Sequence, residues 1–286
     1  MTGMAQTLIT VAPTGAEATK AAFPQLPTTL EELVETAKRC EQAGAAMIHV
    51  HIRDEEHRPT LDLARLRDTV AALREQTSLV VQLSTGGAVS DPYEHRLRVL
   101  DAGPDSCSLT MGTVNFGDDV FMNPWGFVTE LYERTQQLEV VPEFELFDLG
   151  HVAALHRLLD TFGLPAGGRV HCDLVMGVPG GMPGTADALV AAVNAFPDAV
   201  TSWSATGVGR TTLPVALATL AKGGHLRVGM EDVLTLAKGQ PVQHNAELVE
   251  RAASLATLAQ RPPMTPDAVR DLLQIRLPAR PDQSSW

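Results

Sequence analysis

Short runs of apolar residues recur along this chain, each followed by a stretch whose apolar positions fall three and four apart, and the two patterns alternate throughout. Runs of strand type occupy residues 8–13, 47–53, 79–84, 106–111, 143–147, 170–176, 201–205 and 226–230. Helical patterns follow at 29–43, 61–76, 92–100, 124–138, 152–162, 186–195, 213–221 and 246–258, with one more at 266–275. The first helix has Thr28 or Thr29 as its N-cap, with Glu31 and Glu32 in the first turn, where the helix dipole favours negative charge. Strictly alternating βα units call for a parallel sheet. Eight of them favour a closed (β/α)8 TIM barrel over an open, doubly wound sheet. One domain is expected over residues 1–286, with 265–286 forming a C-terminal helix and tail.

The second strand run reads Ile48-His49-Val50-His51-Ile52-Arg53. Side chains alternate faces along a strand, so His49, His51 and Arg53 share one face while Ile48, Val50 and Ile52 share the other. Two imidazoles so spaced reach one metal ion, and they also suit a hydrogen-bonded core.

In a barrel, reactive groups sit at the C-terminal ends of the strands and in the loops that follow. The unusual residues of this chain collect there: Glu17 after the first strand, the histidines on the second, and Ser84-Thr85-Gly86-Gly87 after the third. Thr110 ends the fourth, Glu145 and Asp148 the fifth, and Glu231-Asp232 the eighth. An open zinc site commonly uses two imidazoles and one carboxylate, which makes Glu231 the leading third ligand to His49 and His51. Asp232 suits a general base or a partner to the ligands. Arg227 begins its strand run and, by position alone, reads equally as structural. The pairs Gly86-Gly87 and Gly180-Gly181 fit either a tight turn or a close backbone approach to an anion.

Composition narrows the classes. Hydrophobic residues at 44% and charged residues at 20% are those of a folded globular protein. A net charge of -12 disfavours nucleic acid and anionic membranes as partners. Cys40, Cys107 and Cys172 are odd in number and form no C-x-x-C pair, which points to a reducing cytoplasm. Neither a signal peptide nor a membrane span is expected. Neither G-x-G-x-x-G nor a Walker loop occurs, which lowers nucleotide-dependent redox and kinase chemistry.

Seven segments in order, APTGAEATK (12–20), HVHIRD (49–54), QLSTGG (82–87), SLTMGTVNFGDDVF (108–121), ELFDLGH (145–151), GVPGGMP (177–183) and VGMED (228–232), resemble the β-keto acid cleavage enzymes. The resemblance runs from about residue 8 to about residue 260. It implies a zinc-dependent (β/α)8 barrel, homotetrameric, in which a β-keto acid reacts with acetyl-CoA to give acetoacetate and the CoA ester of the remaining acyl group. By the same resemblance His49, His51 and Glu231 hold the zinc, Asp232 is the base and Arg227 supports it. Ser84 belongs to the substrate pocket, with Thr85, Gly86 and Gly87 beside it to hold the substrate carboxylate. Glu17 faces a substrate amino group, and Thr110 and Glu145 lie in matching pocket motifs. The loops of Gly180, Gly181 and Arg210 are candidates for the CoA side. Val233 departs from the family, which often carries Asn there.

Two other readings compete. A metal-dependent barrel hydrolase of the amidohydrolase kind places its His-x-His on the first strand, with further histidines ending strands five and six. Here the pair is on the second strand, the fifth ends in Glu145 and Asp148, and His171 falls near the start of the sixth. A non-catalytic zinc-binding protein is disfavoured by the open three-ligand set and by Asp232 beside it.

Overall fold

The structure is a computed structural model that describes residues 5–276. In chain order the strands are β1 (Ile9–Val11), β2 (Met47–Val50), β3 (Ile52–Arg53), β4 (Pro59–Thr60), β5 (Val80–Leu83), β6 (Ser106–Thr110), β7 (Val114–Phe116), β8 (Asp119–Phe121), β9 (Val141–Leu146), β10 (Val170–Met176), β11 (Val200–Gly207), β12 (His225–Val228), β13 (Thr235–Ala237) and β14 (Gln240–Pro241). The helices are α1 (Leu30–Gln42), α2 (Leu63–Gln76), α3 (Tyr93–Arg98), α4 (Trp125–Gln137), α5 (Leu149–Phe162), α6 (Ala186–Asn194), α7 (Thr212–Ala221), α8 (Asn245–Leu258) and α9 (Pro266–Leu273).

Eight parallel strands close a barrel in the order β1-β12-β11-β10-β9-β6-β5-β2, which is the expected architecture. Closure pairs β12, the last barrel strand, with β1, in a register that sets Thr10 against Arg227. The residues facing away from the axis, such as Ile9, Val11, Ile48, Val50, Leu109, Phe144 and Leu174, are buried against the helices in two large apolar clusters. Val233 packs in the first of these. The interior is polar instead. Arg227 on β12 reaches Glu145 on β9, across strands that are not neighbours, so both side chains lie inside the barrel. Helix α9 covers the opposite end, where Val269, Leu273 and Ile275 pack on Leu8, Met47, Val80 and Val141. The expected C-terminal helix is therefore present, whereas residues 277–286 of the expected tail lie outside the described residues.

The second strand breaks inside its run. β2 ends at Val50, and Ile52–Arg53 pairs antiparallel with Pro59–Thr60 in a separate hairpin. Two more hairpins, β7–β8 and β13–β14, stand in the loops after β6 and β12. Among the described residues no helix is long and apolar enough to cross a membrane.

Candidate active site

His49 points into the barrel from β2, and His51 follows just past the strand's end. Their Nε2 atoms lie 3.8 and 3.7 Å from Oε1 of Glu231, which leaves the loop after β12. One ligand atom from each of the three lies within 4.8 Å of the others, the spacing of donors around a single ion. Oε2 of Glu231 is buried without a hydrogen-bond partner among the described residues. Burial, with the Arg227 charge adding to it, drives the His49 imidazole down to about 4. Burial also lowers His51, so both rings are held neutral, as metal ligation requires. Two neutral imidazoles and a carboxylate with a free oxygen fit a zinc ion that keeps a coordination position open. The first loop closes tightly over this carboxylate. At Gly15, with φ +64°, a Cβ would stand 2.7 Å from Cγ of Glu231, so the approach needs glycine.

Arg227, 5% exposed, organises the floor of the site. Its Nη1 donates to Glu145 at 3.0 Å, and its Nε and Nη2 donate to the two oxygens of Asp232 at 3.3 and 3.2 Å. Nη2 also donates to Glu231. Thr110 donates to the other oxygen of Glu145 at 2.8 Å. One guanidinium cannot keep three buried carboxylates ionised together. Burial pushes Asp232 and Glu145 above the ordinary range. At Glu231 burial is outweighed chiefly by the Arg227 charge, which holds its carboxyl low. The result is a firmly ionised Glu231 beside an Asp232 able to take up and return a proton.

These residues open into a cleft of about 120 Å³ at the C-terminal end of the barrel, several times the room one water requires. Ser84, Gly86 and Gly87 line it. The Ser84 hydroxyl accepts from the Gly86 amide at 3.2 Å, which fixes the turn. Thr85, read from the sequence as a neighbour in the substrate pocket, does not line the cleft: its hydroxyl turns away and donates to the Ser108 carbonyl at 2.7 Å. Thr110 is likewise absent from the wall and touches the site through Glu145. Glu17 stands exposed at the rim. Lys20 does not neutralise it, because Lys20 pairs with Glu32 at 2.6 Å.

Arg53 parts from the two histidines where β2 breaks. It donates to the carbonyls of Gly15 and Ala18 at 2.6 and 2.9 Å, and so pins the loop that carries Glu17. Its side chain borders a separate cavity of about 370 Å³ on the far side of His51. Gly180 and Gly181 do not line the cleft. Their turn is packed on neighbouring loops, with the Gly117 amide donating to Pro179 at 3.0 Å and the Met182 amide to Phe147 at 2.7 Å. Arg210 is exposed and also outside the wall.

Two features of the site went unread in the sequence. Oε1 of Gln82 lies 2.6 Å from Nδ1 of His49, on a register that sets Gln82 directly opposite it. The period of two did mark Gln82, which stands two residues before Ser84 in an apolar strand. An arc of Phe and Val side chains on the other half of the mouth had no such signal, because its members come from several loops. His171 sits at the start of β10, buried against Glu143 at 3.1 Å, far from the end of the strand where a hydrolase would need it.

The sequence model of the beta-keto acid cleavage enzyme family matches residues 6–275. The chain belongs to that family. A 3-keto-5-aminohexanoate cleavage enzyme from Acetoanaerobium sticklandii is 36% identical over 274 residues, covering 95% of this chain and 99% of that protein. A 3-oxoadipate:acetyl-CoA acetyltransferase from Cupriavidus necator is 32% identical over 284 residues, 98% of each. Among solved structures, apo ObcA shares the fold at a TM-score of 0.75 and 21% identity, covering 89% of this chain and 66% of that one. Family membership and the placement of His171 both weigh against the barrel hydrolase. Within the β-keto acid cleavage family the named substrates differ, so membership alone leaves the keto acid open.

Proposed function

We propose that this enzyme transfers the acyl group of a β-keto acid to CoA, taking acetyl-CoA as co-substrate and releasing acetoacetate, with zinc held by His49, His51 and Glu231. The observation that carries this reading is the convergence of those three ligand atoms beside Asp232, itself held by Arg227, in one cleft at the mouth of the barrel. When bound, zinc supplies Lewis acidity, which lowers the cost of removing a proton next to a carbonyl.

The chain's own groups account for the remaining work. Ser84, with the backbone at Gly86 and Gly87, receives the substrate carboxylate and orients C2. Asp232 takes the C2 proton, and Arg227 stabilises the charge that moves between Asp232 and the substrate. The C2 carbanion bonds to the acetyl carbonyl carbon as the sulfur–carbon bond of acetyl-CoA breaks. The CoA thiolate then bonds to the original keto carbon, the C2–C3 bond breaks, and Asp232 returns its proton to the departing carbon, giving acetoacetate and the new acyl-CoA. Glu145, bridged to Arg227 and Thr110, positions the guanidinium. A homotetrameric state goes with the family resemblance and is checked by light scattering.

The deciding experiment incubates zinc-loaded protein with acetyl-CoA and a broad panel of β-keto acids, following acetoacetate and acyl-CoA by mass spectrometry. Both products are expected, and neither forms without acetyl-CoA. Cleavage independent of acetyl-CoA, or no turnover of any acid by metal-loaded protein, sinks the reading.

A further inference from the structure

The mouth of the barrel is divided by polarity. Loops and strand ends of β12, β1, β2 and β5 bring the histidines, Glu231, Asp232, Thr14 and Ser84 to the cleft. The opposite half, from β6 round to β11, brings Phe116, Phe121, Phe147, Val175, Val178 and Val208 to the same cleft, with Glu145 the charged residue among them. The Phe and Val side chains form an apolar cluster of their own, distinct from the two that surround the barrel. Phe116 stands edge-on to both Phe121 and Phe147, each ring centroid 6.2 Å away.

Among the described residues the charged side chain lining that half is Glu145, already engaged by Arg227 and Thr110. Among the described residues Arg227 is the one arginine or lysine lining the cleft, and its donors already engage Glu145, Glu231 and Asp232. Behind the apolar wall the Arg96 guanidinium lies 4.9 Å from the centroid of Phe121 and donates to Thr85, Met122 and Asn123. It therefore occupies one face of the Phe121 ring, and Nε, Nη1 and Nη2 each already donate to a neighbouring residue. Glu17, the acid that would recognise an amine, is on the polar half and exposed at the rim. A charged tail laid against the apolar half would lose its hydration without gaining a partner.

We propose that the substituent on the keto carbon is uncharged and apolar, so that this enzyme takes alkyl or aryl 3-oxo acids in preference to amino-substituted or dicarboxylic ones. This rests on the carboxylate and C2 lying on the polar half, as in the reaction proposed above. It sets the chain apart from the two relatives named, whose substrates carry an amine or a second carboxylate. With 3-oxohexanoate the reaction balances as acetoacetate plus butyryl-CoA: C2 passes to the acetyl carbon and the four-carbon acyl group passes to sulfur.

The test compares 3-oxohexanoate, 3-oxoadipate and 3-keto-5-aminohexanoate at saturating acetyl-CoA. It also measures the dissociation constant of each acid by calorimetry without acetyl-CoA. The expected result is a kcat/KM at least tenfold higher, and binding at least tenfold tighter, for 3-oxohexanoate. Val208→Lys, which adds a cation to the apolar half, should shift the kcat/KM ratio at least tenfold towards 3-oxoadipate. A wild-type preference for either charged acid overturns the proposal. So does a spread below threefold in which Val208→Lys raises KM for acetyl-CoA alone, since the apolar half would then hold the thioester. Turnover of none of the three with the binding order preserved defeats the proposed reaction and leaves the apolar site standing; loss of both defeats both.

Discussion

His49 is held from behind. Gln82 accepts from its Nδ1 at 2.6 Å and is itself tied by a 3.3 Å bond from its amide to Ser106, which leaves Nε2 facing Glu231 with its lone pair. Partners of this kind fix the tautomer and rotation of a ligating imidazole, and their loss typically weakens metal binding about 10–100-fold. Gln82→Ala should therefore bind zinc weaker by about that factor in competition with a chromophoric chelator, while Gln82→Glu, which keeps an acceptor, binds nearly as tightly. Unchanged affinity in Gln82→Ala would show that packing alone orients the ring. The ligands and the base separate by the same measurement. His49→Ala and Glu231→Ala should each lose zinc. Asp232→Asn should keep it and lose roughly 10²–10⁴ in kcat, the usual contribution of a positioned proton acceptor. Full activity in Asp232→Asn removes that residue from the role.

Helix α1 begins at the loop that forms one wall of the cavity behind His51, and its start is built into the sequence. The Thr29 hydroxyl accepts from the Glu32 amide at 3.2 Å, and the Glu32 side chain accepts from the Thr29 amide at 3.2 Å, a reciprocal capping box. Thr29→Ala should cost about 1 kcal/mol, read as a lower urea midpoint at unchanged slope. This cap was legible because it is local: the signal and its effect lie within four residues. The eight barrel strands were legible for a similar reason, since apolar outer faces and polar inner ones repeat with a period of two. Arg53 was not, because the alternation that grouped it with His51 holds only while the strand continues. β2 stops at Val50, and the hairpin that takes over turns Arg53 towards the Gly15–Ala18 loop. The hairpin strands are two or three residues long, too short to show a period. Gln82 illustrates the remaining gap: its inward direction followed from the period, but the register that sets it opposite His49 depends on how two distant segments pair.

At the scale of the whole molecule, the candidate metal site lies across the seam where the barrel closes. β1 is flanked by β12 and β2, and it is these two neighbours that lead to Glu231 and carry the histidines. Backbone contact across the seam is close: the Glu231 amide donates to Ala12 at 3.1 Å, and at Gly229 a Cβ would stand 1.9 Å from the Ala12 carbonyl oxygen. No side chain fits there, so the chain just past the ends of β1 and β12 meets on bare backbone. An ion bound by His49, His51 and Glu231 would span β1 and tie residues that are 180 positions or more apart in the chain. Such a site is assembled only in the folded barrel, so zinc should favour the native state by mass action. At a hundredfold excess over Kd the gain is about 2.7 kcal/mol. At about 2–4 °C per kcal/mol for a domain near this size, Tm should rise roughly 5–10 °C on zinc addition and fall back with a chelator. Glu231→Gln should abolish the rise while leaving the metal-free protein folded, and a Tm indifferent to zinc in the wild type would place the ion, if bound at all, away from the seam.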